Sequence, residues 1–441
     1  MTERGSLCVL CAGLNHKTAP LEIREQIAFS KDDLPQAVLD LRKYGFDGVI
    51  LSTCNRTEVY TISKDPGTST QDIWTFLAEF HSLESPSFTP HMYRYEDREA
   101  IRHLFRVASG LDSMILGESQ ILGQVRDALT ASAALSSPSM PLSRLFHYAL
   151  RAGRRVREET DIGEKAPSVS DAGVKLVHRV LGDTKSKSIL LVGAGEAGRL
   201  VARALRNLGV EDFMVSNRTF SRAEELCEEL HGRPIPFDHV MDSMKESDIV
   251  ISSTDAPEVI FTQDALADAM DVRNGRPLFI FDLGVPRDID PAAANLQGIH
   301  LFNIDDLDAI AEGNRLEREG SVPTAELIVE EEVDRFTRWW RSLDVAPLIK
   351  ALRHEAEAIR KSEVEKVLRR WPDVTPEEQK AVEQLSRSIV NKLLHRPITS
   401  LKDPRAAAHL QAIKELIQLN DTGEPDRTPY RTPYRTEGEH C

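Results

Sequence analysis

The sequence predicts a multidomain α/β protein with an N-terminal ferredoxin-like split-βαβ domain, a Rossmann-type doubly wound domain and a C-terminal helical domain. Three observations predict it. The first hundred residues read β-α-β-β-α-β. A glycine-rich GAGEAG at 193–198 lies between an apolar strand and an Ala/Leu/Arg-rich helix. Beyond Asp305 the chain carries long charged helices with apolar stripes.

At 441 residues the chain exceeds one ordinary core and should divide into several domains. With 41% hydrophobic and 28% charged residues it has the composition of a folded soluble protein. No window approaches the roughly 18 uninterrupted apolar residues of a membrane span. MTERGSLCVL lacks the basic-then-apolar pattern of a secretory signal, so a cytoplasmic protein without membrane contact is expected. The five scattered cysteines argue against a disulfide framework. Cys8 and Cys11 form a C-x-x-C, but residues three apart on a strand face opposite ways, which speaks against a redox or metal pair. No Cys, His, Asp or Glu cluster has convincing metal spacing, and no metal is assigned. A net charge of -15 disfavours indiscriminate nucleic-acid binding and leaves room for local basic patches.

In the first domain (1–163), residues 6–14 read as a buried strand, 31–44 as an amphipathic helix, and VILSTCNRTEVYTI as two strands around a short polar turn. A helix at 70–82 and the strand HMYRY follow, then Arg-rich helices at 97–108, 118–135 and 141–160. EKAPSVSDAG (164–173) suits a linker into the second domain (164–305), whose strands ILLVG, DFMVSNR, DIVISST, LFIFDLG and HLFNI alternate with helices. The third domain (306–420) opens with helix over 305–345. Helices near 345–370 and 375–395 and one ending near 419 follow, with Ile328, Val333, Phe336 and Trp340 at helical spacing. The tail 421–441 repeats RTPY and lacks core residues, so disorder is expected there.

Strand before and helix after separate GAGEAG from a chance match. Gly193 would make the tight turn, Gly195 would admit the pyrophosphate, and Gly198 would let helix pack on strand. Ala194, Glu196 and Ala197 complete the loop, whose helix N-terminus offers amide donors to phosphate. The next strand ends in Asn217, Arg218 and Thr219, with no acid for a ribose hydroxyl and an arginine suited to a 2′-phosphate, so NADPH is the expected cofactor.

Cys54 in STCNRTE ends an apolar strand among hydroxyl, amide and guanidinium groups, a place for exposure rather than packing. A thiolate is the reactive form, and Arg56 nearby would lower its pKa. A cysteine attacking an acyl group makes a thioester that a nicotinamide can reduce.

The blocks GLNHKTAP (13–20), STCNRTEVY (52–60), ASGLDSMILGESQILGQV (108–125), VGAGEAG (192–198), DLGVPRDIDP (282–291) and NKLLHRPI (391–398) resemble the glutamyl-tRNA reductase family, in that family's order. The resemblance implies NADPH-dependent reduction of glutamyl-tRNA(Glu) to glutamate-1-semialdehyde through a Cys54 thioester, the first step of tetrapyrrole synthesis by the five-carbon route. It implies that Thr53, Asn55 and Arg56 line the substrate pocket, with the Arg56 fork holding the glutamate carboxylate. Ser113, Glu118, Ser119, Gln120 and Gln124 are implied to surround the glutamyl group, and Ser119 departs from the proline of many relatives. His103 matches the histidine implied to assist, by orienting the ester or moving a proton. His16 and Lys17 could border the same pocket or form a structural turn.

Implied partners are charged tRNA, a second copy of the chain paired through the C-terminal helices, and the aminomutase that follows in the pathway. Phosphate contacts are expected from Arg151, Arg154, Arg155 and Arg157, and from Lys392, His395, Arg396 and Lys402. Two alternatives stay open. Another NADP-dependent cysteine acyl or semialdehyde dehydrogenase would usually place its cysteine after the dinucleotide fold, unlike Cys54. A catalytically silent tRNA-binding scaffold would have no reason to keep Cys54 and the full glycine set.

Overall fold

The computed structural model describes residues 7–83, 87–118, 120–135, 138–162, 177, 186–193, 195–254, 256–306, 319–371 and 373–401. They fall into two compact units, Leu7–Val333 and a helical unit from Asp334 onward.

The first sheet comprises β1 (Cys8–Asn15), β2 (Gly48–Thr53), β3 (Arg56–Ser63) and β4 (Tyr93–Glu96), in the order β2-β3-β1-β4. Each neighbouring pair is antiparallel, the split-βαβ arrangement. α1 (Leu21–Arg24) is a single turn after β1. α2 (Leu34–Lys43) and α3 (Pro66–Phe80) pack Val38, Leu41, Ile73 and Phe76 against Leu10, Ile50 and Val59 of the sheet. The opposite face is covered by α4 (Asp97–Ala108), α5 (Gln120–Leu135) and α6 (Met140–Glu159). There Ser132 Oγ donates to Gly48 O at 2.9 Å, and Tyr60 meets Phe146 edge to face at 5.5 Å. Helices on both faces bury every residue of β1, which is why it reads as a continuous apolar run rather than an alternating one.

The second sheet is wholly parallel. β5 (Ser188–Val192), β6 (Asp212–Ser216), β7 (Arg233–Ile235), β8 (Ile249–Ser252), β9 (Leu278–Asp282) and β10 (Ile299–Asn303) lie in the order β10-β9-β8-β5-β6-β7. The helices α7 (Glu196–Asn207), α8 (Phe220–Leu230), α9 (Val240–Glu246) and α10 (Gln263–Val272) alternate with them. Ile189 and Leu191 enter one core, Leu190 and Val192 the other, as strand periodicity requires. Strand order reverses between β5 and β8, the crevice where such sheets take dinucleotides. The sequence reading missed β7, three residues containing Pro234, too short to show a period.

α11 (Val322–Arg369) and α12 (Pro376–Leu401) follow. The break expected near 345 is absent, because one proline removes a single main-chain hydrogen bond while the rest of a 48-residue helix persists. The linker 164–173, the helix ending near 419 and the tail 421–441 lie outside the described residues.

Candidate active site

Thr53 ends β2 and Arg56 begins β3, so Cys54 and Asn55 form the two-residue connection. Thr53 Oγ1 accepts from the amides of Asn55 and Arg56, each at 3.2 Å, and draws the turn tight. Arg24 Nη1 donates to Cys54 O at 2.8 Å and to Asn55 Oδ1 at 3.1 Å, while the His16 amide donates to Asn55 O at 2.9 Å. The turn is held through its carbonyls, and the free Cys54 thiol is half-buried. Burial pushes that thiol up to about 12. The Glu118 carboxylate acts in the same sense and the Arg24 guanidinium opposes it. The arginine that favours the thiolate is therefore Arg24, not Arg56 as the sequence suggested. No periodicity marks Arg24, which lies in a one-turn helix.

Arg56 points elsewhere. Residues two apart on a strand share a face, which brings Arg56, Glu58 and Tyr60 together. Arg56 Nη1 donates to Glu58 Oε1 at 2.7 Å and to Asp112 Oδ2 at 3.3 Å; Nη2 donates to Asp112 O at 2.6 Å and to Asp112 Oδ2 at 3.2 Å. Glu58 also accepts from Tyr60 at 2.5 Å, Tyr93 at 2.5 Å and His103 Nε2 at 2.8 Å. Despite complete burial its carboxyl is held far below the ordinary range, chiefly by Arg56 and His103. The Arg56 fork, expected to face substrate, is occupied here by Asp112 and Glu58. His103 sits between Tyr93 and Tyr95, at ring distances of 5.5 and 4.7 Å, and reaches the site through Glu58. Sequence reasoning missed Glu58, Asp112 and Asn15, whose Nδ2 donates to Asp112 Oδ2 at 3.4 Å; the i, i+2 pairing on β3 was the available signal for Glu58.

The segment before α5 turns at Gly110 (φ 74) and Gly117 (φ 83), where a Cβ on Gly117 would stand 2.2 Å from Ile162 O. Ser113 Oγ, Gln120 Nε2 and His16 Nδ1 are buried and lack hydrogen-bond partners among the described residues. Buried polar atoms are ordinarily paired, so an unpartnered one such as His16 Nδ1, on a residue whose amide donates to Asn55 O at 2.9 Å, suits a polar ligand. Arg157 Nη2 holds Glu118 O at 2.7 Å, and Gln124 lies one turn beyond Gln120 on α5, half-buried. His16 is kept neutral, its pKa lowered to about 4 by burial and then by Arg56 and Lys17. Ser119 lies outside the described residues.

At the dinucleotide crevice Gly193 has φ 88, and its amide donates to Ser216 O at 2.8 Å. A Cβ on Gly193 would come within 2.3 Å of Ser253 O, on Gly195 within 2.3 Å of Ser253 Oγ, and on Gly198 within 2.7 Å of Ser253 Cβ. Ser253, just past β8, is the residue against which all three glycines fit, and the sequence did not reveal it. The Gly195 amide donates to Ser253 O at 3.0 Å, so among the loop amides expected to meet phosphate this one is already engaged. Glu196, Ala197 and Gly198 form the first turn of α7. Asn217 Nδ2 donates to Thr219 O at 2.9 Å, Thr219 precedes α8, and Arg218 is exposed. Ala194 lies outside the described residues.

Three stretches match described families: residues 12–160 the N-terminal domain of glutamyl-tRNAGlu reductase, 175–310 shikimate/quinate 5-dehydrogenase, and 324–419 the dimerisation domain of glutamyl-tRNAGlu reductase. A glutamyl-tRNA reductase from Syntrophotalea carbinolica is 43% identical over 93% of this chain and 94% of its own. The chain belongs to the glutamyl-tRNA reductase family. A further member, from Trichlorobacter lovleyi, is 41% identical to this reductase over 94% of the chain and 98% of its own. A solved glutamyl-tRNA reductase from Methanopyrus kandleri is 33% identical, covers 94% of this chain and 98% of its own, and has a TM-score of 0.47. The reductase is an oxidoreductase with a Rossmann-type second domain, as the sequence led one to expect. No helix among the described residues is long and apolar enough to cross a membrane.

Most of the first basic group expected to meet phosphate has structural duties in the reductase. Arg151 pairs with Glu332, and Arg155 with Glu159, Glu331 and Glu332. Arg157 donates to Ala108 O at 3.0 Å and Gly153 O at 2.7 Å as well as to Glu118 O. Arg154 alone of that group is exposed. Lys392, His395 and Arg396 lie on α12, and Lys402 lies outside the described residues.

Folding also gathers Cys11, Glu58 and His103, whose ligand atoms lie within 4.8 Å of one another. Glu58 already accepts from four side chains, and burial holds the Cys11 thiol well above its ordinary value. A divalent cation there would face the Arg56 guanidinium, so the donor set does not suit a metal.

Proposed function

We propose that this reductase converts glutamyl-tRNA(Glu) to glutamate-1-semialdehyde with NADPH through a thioester on Cys54, releasing tRNA at the entry to tetrapyrrole synthesis. The observation that carries the reading is the bridge made by Arg24. Its guanidinium holds the Cys54 turn and also pairs with Asp305, immediately after the last strand of the dinucleotide fold. The cysteine and the dinucleotide domain thus belong to one compact unit.

Cys54 Sγ attacks the ester carbonyl carbon, the carbon–oxygen bond to the terminal ribose breaks, and the ribose oxygen takes up a proton. NADPH, when bound, supplies the hydride that reduces the thioester carbonyl. The C–S bond then breaks, returning the thiolate and freeing the aldehyde. With its thiol pushed up to about 12, Cys54 must lose its proton as the substrate arrives. His16 is tied to the turn by its amide on Asn55 O and has an unpartnered Nδ1, but with a pKa lowered to about 4 it is a weak base for that transfer. Ser113 and Gln120 offer unpaired polar atoms suited to the glutamyl group, and Thr53, Asn55, Glu118 and Gln124 are its further candidate contacts. Glu58, Arg56 and His103 hold the pocket wall, and His103 acts through Glu58. Gly193, Gly195 and Gly198 shape the cradle that would take the pyrophosphate, and exposed Arg218 would hold the 2′-phosphate of NADPH.

The family's dimerisation domain supports pairing of two chains through α11 and α12, and the aminomutase remains the candidate recipient of the aldehyde. Product analysis after incubation with charged tRNA tests the reading. Semialdehyde should form with NADPH, and free glutamate should accumulate without it, as water takes the thioester. Semialdehyde formed by Cys54→Ser would refute the thioester route.

A further inference from the structure

We propose that Arg24 is the positioning residue that governs the Cys54 turn, and that Asp305 of the dinucleotide domain is a removable counter-ion that mutes its charge. The proposal deepens, and rests on, the reading of Cys54 as the nucleophile. Arg24 ends α1 and is 3% exposed. Nη1 is spent on Cys54 O and Asn55 Oδ1, Nη2 on Asp305 Oδ1, and Nε is buried without a hydrogen-bond partner among the described residues. Arg24 thereby reaches a residue 281 positions away in the chain.

The Asp305 end is held less deeply than the Cys54 end. The Asp305 side chain is 40% exposed, and its amide is fixed by Asn303 Oδ1 at 2.8 Å on the turn that leaves β10. A second bridge crosses the same boundary beside it, where Arg287 donates to Glu25 Oε1 at 2.6 Å and Oε2 at 3.0 Å and reaches Glu22 Oε1 at 3.3 Å. Residues 22–25 are therefore one strip at which the dinucleotide domain touches the cysteine's domain. The charged groups acting on Cys54 come from three elements: Arg24 from α1, Glu118 from the segment before α5, and Asp305 from the exit of the dinucleotide fold.

A carboxylate paired with a guanidinium offsets part of its field at a third group. While Asp305 is seated, Arg24 favours the thiolate by less than its bare charge would. When Asp305 withdraws, the full cation stays beside the turn because Nη1 is anchored to it, and Nη2 and Nε then present a free fork. The seating of Asp305 is thus coupled to readiness of the thiol.

The test is the pH dependence of Cys54 alkylation by iodoacetamide in the full-length protein, without tRNA or NADPH, followed by mass spectrometry of the peptide containing Cys54. Arg24→Gln should move the profile to higher pH and slow alkylation at a fixed pH roughly tenfold per unit moved. Asp305→Asn should move it to lower pH, and Arg24→Lys should recover part of the loss by restoring charge without the fork. A purely structural role would loosen the pocket in both variants and shift both profiles downward, because desolvation is the largest influence on this thiol. Shifts of the same sign, or none, overturn the proposal. If Arg24→Gln does not fold, the comparison of Asp305→Asn with Asp305→Glu decides it alone, since the glutamate keeps the counter-charge and should leave the profile near that of the parent. The readout needs no thioester chemistry, so its failure leaves the nucleophile reading standing, and retained turnover by Cys54→Ser would refute that reading independently.

Discussion

Arg56 Nη1 donates to Glu58 Oε1 at 2.7 Å with both side chains screened from solvent, their exposures being 1% and 0%. A buried pair of this kind is costly to assemble and more costly to break, because removing one member strands the other's charge. Glu58→Gln should therefore lower stability by about 3 kcal/mol in urea unfolding. The glutamate's folded-state pKa is depressed, so its contribution is present above the unfolded value of about 4.3 and is lost as pH falls through the folded value. A variant as stable as the parent at pH 7 would show that the pair contributes nothing.

Asp282 behaves in the opposite sense. Burial and then the neighbouring Asp288 raise its pKa to about 7, despite amide donations from Gly284 at 3.1 Å and Ile289 at 3.0 Å. A raised carboxyl stabilises the folded state below the unfolded pKa of about 3.9, and that contribution is lost as pH rises toward 7. Stability of the dinucleotide domain should fall across that window by up to about 4 kcal/mol from this group, and Asp282→Asn should flatten the slope. An unchanged slope in the variant would assign the pH dependence to other groups.

Gly198→Ala should weaken NADPH binding, because its new Cβ would lie 2.7 Å from Ser253 Cβ. The contact predicts a specific rescue: adding Ser253→Gly should restore much of the loss. Losses that simply add in the double variant would show that the two residues are not sterically coupled.

Arg218→Ala should weaken NADPH roughly tenfold or more while leaving NADH nearly unchanged, because a charge-assisted contact to the 2′-phosphate is worth about 1.5–3 kcal/mol. Titration of both cofactors by fluorescence reads it directly. Equal losses would give Arg218 a structural role.

On α12, Leu385, Ile389 and Leu393 are 64, 49 and 68% exposed at a four-residue spacing, one apolar stripe along the helix. Leu385→Glu with Leu393→Glu should yield a monomer by light scattering while leaving the dinucleotide domain able to bind NADPH. A dimer that survives both charges would move the pairing surface off this stripe.

The sequence by itself determined the order of domains, nearly every strand of both sheets, the glycine loop and the polar turn that carries the cysteine. Those features are written in local terms: apolar runs of strand length, a Gly-rich strand-to-helix junction, and polar residues between two strands. It also determined the family, through blocks spread along the whole chain. Only the tertiary structure decided what the charged residues do. Arg56 and Arg24 look alike as letters, but strand β3 directs one into Glu58 and Asp112, while a single helical turn directs the other onto the Cys54 carbonyl and Asp305. Three of the four arginines at 151–157 likewise meet acids or carbonyls remote in sequence. A charge's role depends on what lies within a few ångströms of it and how far water is excluded. Both are set by residues tens to hundreds of positions away, and no local pattern carries that information.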